Sequence, residues 1–266
     1  MKIAIIGTGN LGRSIAKGLI INNAITSLYL TRRSLDNLKE FDGYKNVYLT
    51  KDNSLAVQQS DILIFAVQPA HLQSILESVA PHLTEKHIVI STITGFPISK
   101  IESIVGAQHH IIRAMPNTAI AVGKSMTCLC SNTAGKGRVS VAEAIFNRLG
   151  ATICIPEEQM QAATVVCASG IAFWMRLIRA TTQAAIQLGF DAEEAQRLAM
   201  YTSEGAAQLL IKNGNHPEQE IDKVTTPMGC TIEGLNEMEH KGLSSSLIQG
   251  MVASFQKINA IKTNQV

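Results

Sequence analysis

The chain has 266 residues, 46% of them apolar and 17% charged, with a formal net charge of +2 at pH 7. That length suits one or two domains with a sizeable core, and the apolar share with so small a charge excludes disorder as the main state. With 19 Gly, 7 Pro and 5 Cys it is neither collagen-like nor a disulfide scaffold, and it carries no broad basic footprint for nucleic acid.

The opening run Met-Lys-Ile-Ala-Ile-Ile-Gly is too short for the core of a secretory leader. The first half then alternates short apolar runs with helical patterns. Strands are expected at Lys2–Ile6, Leu28–Leu30, Val47–Leu49, Ile62–Val67, His87–Ser91, Ile111–Ala114 and Met126–Cys130. Helices are expected at Leu11–Ile20, Leu35–Phe41, Leu55–Gln59 and Leu72–Val79, and Pro69 and Pro97 sit where a helix can start without losing a hydrogen bond. Alternating strands and helices imply right-handed βαβ units in a mostly parallel sheet.

Near Pro156 the pattern changes. Helix formers dominate Ala162–Leu188, Ala192–Leu210, Ile232–Met238 and Leu247–Ile258, with Gly189 and Gly214 as stops. The expected organisation is α/β and then all-α: a dinucleotide domain over 1–156 and a helical domain over 157–266. The polar tail from Thr263 should fray. Ala162–Met175 is apolar nearly all round, but that run is shorter than the ~20 residues a bilayer needs, so it reads as a buried helix. The cysteines are odd in number and lack Cys-x-x-Cys; Cys128-x-Cys130 reads as strand filler, and no metal site is expected. Reduced thiols without a leader suggest the cytoplasm.

Gly7-Thr8-Gly9-Asn10-Leu11-Gly12 fits Gly-x-Gly-x-x-Gly in its confirming context, after a strand and opening a helix. The first Gly permits the turn, the second a close approach of backbone to a pyrophosphate, and the third helix packing on the strand. The second strand ends Thr31-Arg32-Arg33-Ser34, without the acid that holds ribose hydroxyls in NAD sites. Guanidinium groups suit a 2′-phosphate, so NADP(H) is expected over NAD(H); the alternative is that one or both arginines are solvated. Ala66-Val67-Gln68-Pro69 ends the fourth strand and should run beside the cofactor. Asn117, in Arg113-Ala114-Met115-Pro116-Asn117-Thr118, either orients the nicotinamide amide or stabilises a turn, and spacing does not separate the two. Gly170 permits close approach by a ligand or by another helix. Thr225-Thr226-Pro227-Met228-Gly229-Cys230-Thr231 precedes a helical pattern from Ile232; free N–H groups there make a carboxylate site, or Thr231 is simply the N-cap.

Gly7–Gly12, Ala66–Pro69, Arg113–Thr118, Thr164–Phe173 and Val224–Leu235 resemble the pyrroline-5-carboxylate reductase family, in its order and over nearly the whole chain. The resemblance implies a Rossmann-type domain followed by a helical dimerisation domain, a homodimer that assembles into rings in many members, and reduction of pyrroline-5-carboxylate to proline with NADPH or NADH. By position it implies that Thr231 lies near the imine nitrogen and Thr226 beside the substrate carboxylate, with Gly229 and Cys230 in the same loop. It places Asn53 near the adenosine ribose and Asn117 near the nicotinamide. The chain departs from the family at Gln68 (usually Lys), at Cys167–Phe173 (often Ser-Gly-Ser-Gly-Pro-Ala-Tyr) and at Met228 (Gly). These departures leave two alternatives: an NADP-dependent reductase of another cyclic imine, or a non-catalytic NADP-binding paralogue.

Overall fold

A computed structural model describes residues 1–22 and 25–263; the tail expected to fray lies, beyond Thr263 itself, outside the described residues. Eight strands form one sheet: β1 Lys2–Ile6, β2 Ser27–Thr31, β3 Val47–Thr50, β4 Ile62–Phe65, β5 Ile88–Ser91, β6 His110–Met115, β7 Ser125–Ser131 and β8 Gly150–Cys154. Their order is β3-β2-β1-β4-β5-β6-β7-β8. Among the described residues, only β6 and β7 pair antiparallel. The first seven were legible as apolar runs. β8 was not, because Gly-Ala-Thr-Ile-Cys opens on Gly, lacks an unbroken apolar run and lies largely exposed at the sheet edge.

Unbroken apolar strands mean burial on both faces. Ile3 and Ile5 of β1 join Leu28, Leu30, Ile62 and Ile64 in one core. Ala4 and Ile6 point the other way, with Leu63, Phe65 and Val89. Each large side chain so removed from water contributes roughly 1.5–3 kcal/mol.

Helices α1 Asn10–Ile21, α2 Asn53–Gln58, α3 Pro69–Val79, α4 Ile98–Val105 and α5 Val139–Phe146 cover the sheet. α1 and α5 close the first core through Ile15, Leu19, Ile145 and Phe146. α3 and α4 close the second through Leu72, Leu76, Ile98 and Ile101. Leu35–Phe41, expected as a helix, is 3₁₀. Pro69 takes the first position of α3, while Pro97 is the residue before α4, a helix expected only as a possible start.

From Glu157 the chain is helical: α6 Met160–Ala163, a π-helical turn Thr164–Ser169, α7 Gly170–Gln187, α8 Ala192–Asn213, α9 Pro217–Asp222, α10 Cys230–His240 and α11 Leu243–Thr263. Secondary structure thus changes character at the expected residue, but packing divides the chain elsewhere. One compact unit holds Met1–Ser169 and the stretch from Phe255, the other Gly170–Ser254. The reason is visible at Glu157. Its Oε1 accepts from the buried Arg113 of β6 at 2.9 Å and from the Ile98 N–H of α4 at 2.7 Å, tying the first helical turns to the sheet.

In the second unit α7 and α8 pack as a hairpin. Asp191 caps α8 by accepting from the Glu193 and Glu194 N–H groups, which hold its carboxyl below the usual range, and Gly214 closes α8 in the left-handed region. Few side chains are buried here, and large apolar ones stand exposed within the chain, among them Trp174 (61%), Tyr201 (67%) and Ile211 (76%). Glu157–Gln187 forms a continuous 31-residue helical run with mean hydropathy 1.4 in its most apolar window, only 17% of it buried. The expectation of a buried helix over Ala162–Met175 is met only in part: Ala163, Thr164, Val165 and Gly170 are buried while Val166, Trp174 and Met175 are exposed within the chain, and the longer helical run means that length no longer argues against a membrane span.

Candidate active site

The order β3-β2-β1-β4 places a topological switch between β1 and β4: the chain leaves β1 towards β2 and later returns to β1's other side. In such sheets the crevice beyond the carboxyl ends of the strands is the ligand site. A cleft of about 590 Å³ opens there.

The glycine loop forms its floor. Gly7 has φ +91°, and a Cβ on it would stand 2.3 Å from Val67 Cγ1 and 3.1 Å from the Ala66 carbonyl oxygen. Gly12, in the first turn of α1, lies under the loop, where a Cβ would come 2.6 Å from the Gly7 oxygen. A Cβ on Gly9 would meet nothing within 4 Å, so its open face is the one a ligand can approach. The Gly7 N–H donates to Thr31 Oγ1 at 3.2 Å and the Thr8 N–H to the Thr31 carbonyl at 2.9 Å, pinning the loop to β2. No side chain caps α1 and no acid sits in its first turn. Its free N–H groups and positive dipole end remain available to an anion. Thr8 Oγ1 is buried with no partner in the chain, a polar atom that a ligand phosphate can satisfy.

Gly7, Thr8, Gly9, Arg32, Arg33, Asn53, Ala66, Val67 and Gln68 line the cleft together. Arg32 is half-buried and donates through Nη1 to the Thr8 carbonyl at 3.0 Å, so it also braces the glycine loop. Arg33 is exposed, with Nη2 3.5 Å from His71 Nε2. Asn53 opens α2, whose cap is Asp52, accepting from the Ser54 and Leu55 N–H groups. Gln68 is the N-cap residue of α3 and Pro69 its first residue. Asn10, Leu11, Gly12 and Pro69 stand behind the lining, in the helical turns that shape it.

Sequence reasoning missed Ser34, Asn37, Lys51, His71 and Ser74, which also line the cleft. Lys51 had a signal: it directly follows β3, whose carboxyl end lies on the same edge. The lining carries Arg32, Arg33, Lys51 and His71 and no carboxylate. That charge pattern fits a phosphorylated ribose better than a bare diol.

Asn117 does not line this cleft. Its Oδ1 accepts from the Ala119 N–H at 3.0 Å and its Nδ2 donates to the Cys167 carbonyl at 3.1 Å. Of the two readings of this residue, the turn-stabilising one describes its observed bonds.

In the second unit, Gly229 is the N-cap of α10, Cys230 its first residue and Thr231 its second. The helix therefore starts two residues before the expected Ile232, and Thr231 is not its cap; no side chain caps that turn. A Cβ on Gly229 would stand 2.5 Å from Thr226 Oγ1, so the Thr226 hydroxyl lies against the start of this helix. Met228 has φ +54°, alone among the described non-glycine residues in the left-handed region, and is fully exposed. Among the described residues no three His, Cys, Asp or Glu side chains gather to hold a metal.

This geometry puts the first unit in the class of Rossmann-type dinucleotide-binding domains. Comparison with known proteins agrees and goes further. Residues 2–95 match the family described as NADP oxidoreductase coenzyme F420-dependent, and residues 157–261 match pyrroline-5-carboxylate reductase dimerisation. Pyrroline-5-carboxylate reductase 2 of Dictyostelium discoideum is 43% identical over 96% of this chain and 91% of its own length. Pyrroline-5-carboxylate reductase 1 of the same organism is 44% identical over 99% of this chain, which spans only 50% of that relative. The crystal structure of Plasmodium falciparum pyrroline carboxylate reductase with NADP bound superposes with a TM-score of 0.86, at 26% identity over 98% of both chains. The chain belongs to the pyrroline-5-carboxylate reductase family.

The glycine packing yields a prediction. Alanine is favoured over glycine in a helix by about 1 kcal/mol. At Gly12 the clash with the Gly7 oxygen should outweigh that gain, so Gly12→Ala should lower the thermal midpoint. A midpoint at or above the parent's would mean that the loop yields freely.

Proposed function

We propose that this chain reduces 1-pyrroline-5-carboxylate to L-proline with NADPH as the preferred donor. The observation that carries the reading is the glycine-floored cleft, with its cations and no acid, in a chain of this family. When bound, the reduced nicotinamide supplies a hydride to the ring carbon of the substrate C=N bond. The chain's own residues bind and orient. Gly7–Gly9 and the first turn of α1 receive the pyrophosphate, Arg32 and Arg33 the 2′-phosphate, and Asn53 the adenosine ribose. Gln68 lies along the cofactor, and Asn117 shapes the nicotinamide end through its turn. The Gly229 N–H donates to the Thr226 carbonyl at 2.9 Å, so in the Gly229–Thr231 turn it is the uncapped N–H groups of Cys230 and Thr231 that, with the Thr226 hydroxyl, suit the substrate carboxylate. Thr231 Oγ1 serves the imine nitrogen, chiefly as an orienting donor, since an unactivated hydroxyl is a poor general acid and positioning supplies much of the rate. NADPH oxidation by the purified chain across a panel of cyclic imino acids tests the reading. Proline formed from pyrroline-5-carboxylate is the expected result; binding without turnover of any imine would overturn it.

The proposal extends to assembly and location. The chain works in the cytoplasm as a homodimer, with a higher ring as its further form, and binds neither nucleic acid nor membrane. The exposed apolar run Glu157–Gln187, within the segment matched to a dimerisation domain, packs on a second copy instead of lipid. Exposed Trp174, Tyr201 and Ile211 support this, because surfaces of that kind mark interfaces. Light scattering at micromolar concentration should give a dimer or larger; an active monomer would contradict it.

Replacing Arg32 and Arg33 together by Ala should weaken NADPH roughly tenfold or more, about 1.4 kcal/mol, with little effect on NADH. Equal loss for both cofactors in titration would remove the 2′-phosphate assignment. Thr231→Ala leaves the N–H groups in place and should lower kcat about tenfold with a smaller change in KM, whereas Thr226→Ala should raise KM. If Thr231→Ala keeps kcat within about twofold, less than ~0.5 kcal/mol, the hydroxyl has no part in the chemistry.

A further inference from the structure

The dinucleotide cleft makes no use of two cysteines that the fold brings together. Cys128 lies in β7 and is buried; Cys167 lies in the π-helical turn and is half-buried. They are 39 residues apart in sequence, yet their sulfurs are 3.8 Å apart. The Cys167 backbone is held in place by Asn117, whose Nδ2 donates to its carbonyl at 3.1 Å. We propose that Cys128 and Cys167 are a modification site, oxidised by a peroxide to a reversible intramolecular disulfide.

The chemistry divides between the two sulfurs. Either thiol can donate across this contact; donation by Cys128, the more buried of the two, favours the thiolate of Cys167 and pulls Cys167 below the usual thiol range despite its partial burial. Cys167, the more exposed, is therefore the attacking thiolate. Its sulfur takes one peroxide oxygen as the O–O bond breaks, giving a sulfenic acid, and the other oxygen leaves as hydroxide and is protonated to water. Cys128 then attacks the sulfenic sulfur. The S–S bond forms, the S–O bond breaks, and the departing hydroxide takes the Cys128 proton as water. The dithiol is oxidised by two electrons and the peroxide reduced by two. A small dithiol reverses the reaction by exchange.

The other cysteines are poorer candidates. Burial pushes Cys130 up to about 11. Cys154 is raised by desolvation and by donating to the Glu143 carboxylate at 3.3 Å. The linkage would tether β7 to the turn that precedes Gly170, where the second packing unit begins. In the reducing cytoplasm such a bond is transient and responds to oxidant, which suits a redox-sensing site.

The test treats the full chain with a small excess of hydrogen peroxide, alkylates the remaining thiols and maps peptides without reduction. The expected result is a linked Cys128–Cys167 peptide, with Cys130, Cys154 and Cys230 alkylated. The free-thiol titre should fall from five per chain by two and return after dithiothreitol. Cys128→Ser should leave a sulfenic acid on Cys167 that a dimedone probe labels, and Cys167→Ser should abolish the linkage. Retention of both thiols, over-oxidation of Cys167 with Cys128 free, linkage through any other cysteine, or absence of dimedone label in Cys128→Ser overturns the proposal.

Discussion

The close approach of the β1–α1 turn to the end of β4 is the constraint on which the cofactor site depends. Gly7 sits against Val67 and Ala66 with no room for a Cβ, and Gly12 sits beneath the Gly7 carbonyl. Gly12 meets backbone and Gly7 meets the Val67 side chain with the Ala66 backbone behind it, so the loop is held from two sides, and no side chain caps α1. The strand order makes this geometry useful. At the switch between β1 and β4 the two neighbouring connections diverge, and the crevice between them is left for a ligand.

Electrostatics then selects among dinucleotides. The cleft edge contributed by β2, β3 and α3 carries Arg32, Arg33, Lys51 and His71 and no carboxylate. Asp52, the nearest acid in sequence to Asn53, has its carboxylate engaged in capping α2. Arg32 has a second use, since its bond to the Thr8 carbonyl joins a cation of the cleft wall to the glycine loop. The two parts of the cleft are therefore mechanically linked.

The helical unit follows a different physical logic. Its helices bury little within one chain, and their apolar side chains remain exposed. Stability for such a unit comes from covering that surface, which is what a dimerisation domain does. At the start of α10, Met228 occupies a left-handed conformation that costs a non-glycine residue about 1–2 kcal/mol. Strain of this kind gathers at functional segments, and this one directly precedes the uncapped turn that holds Gly229, Cys230 and Thr231.

The amino-acid pattern alone determined the α/β-then-α order, seven of the eight strands, the glycine loop and the cationic end of β2. Each is written locally: apolar runs mark buried strands, glycine spacing marks the turn, and an absent acid is as readable as a present one. The residues that are not adjacent in sequence were decided only by the tertiary structure. Lys51 and His71 join the cleft because parallel pairing brings the carboxyl ends of β2, β3 and β4 to one edge. Asn117, equally open to a ligand role by spacing, bonds instead to Ala119 and Cys167, and Arg113 of β6 pairs with Glu157, because that strand runs beside the segment that follows β8. The faint strand β8, the early start of α10 and the meeting of Cys128 with Cys167 were likewise hidden. Edge pairing, helix capping and contact at long sequence separation leave no periodic trace in the chain and exist only once the sheet has formed.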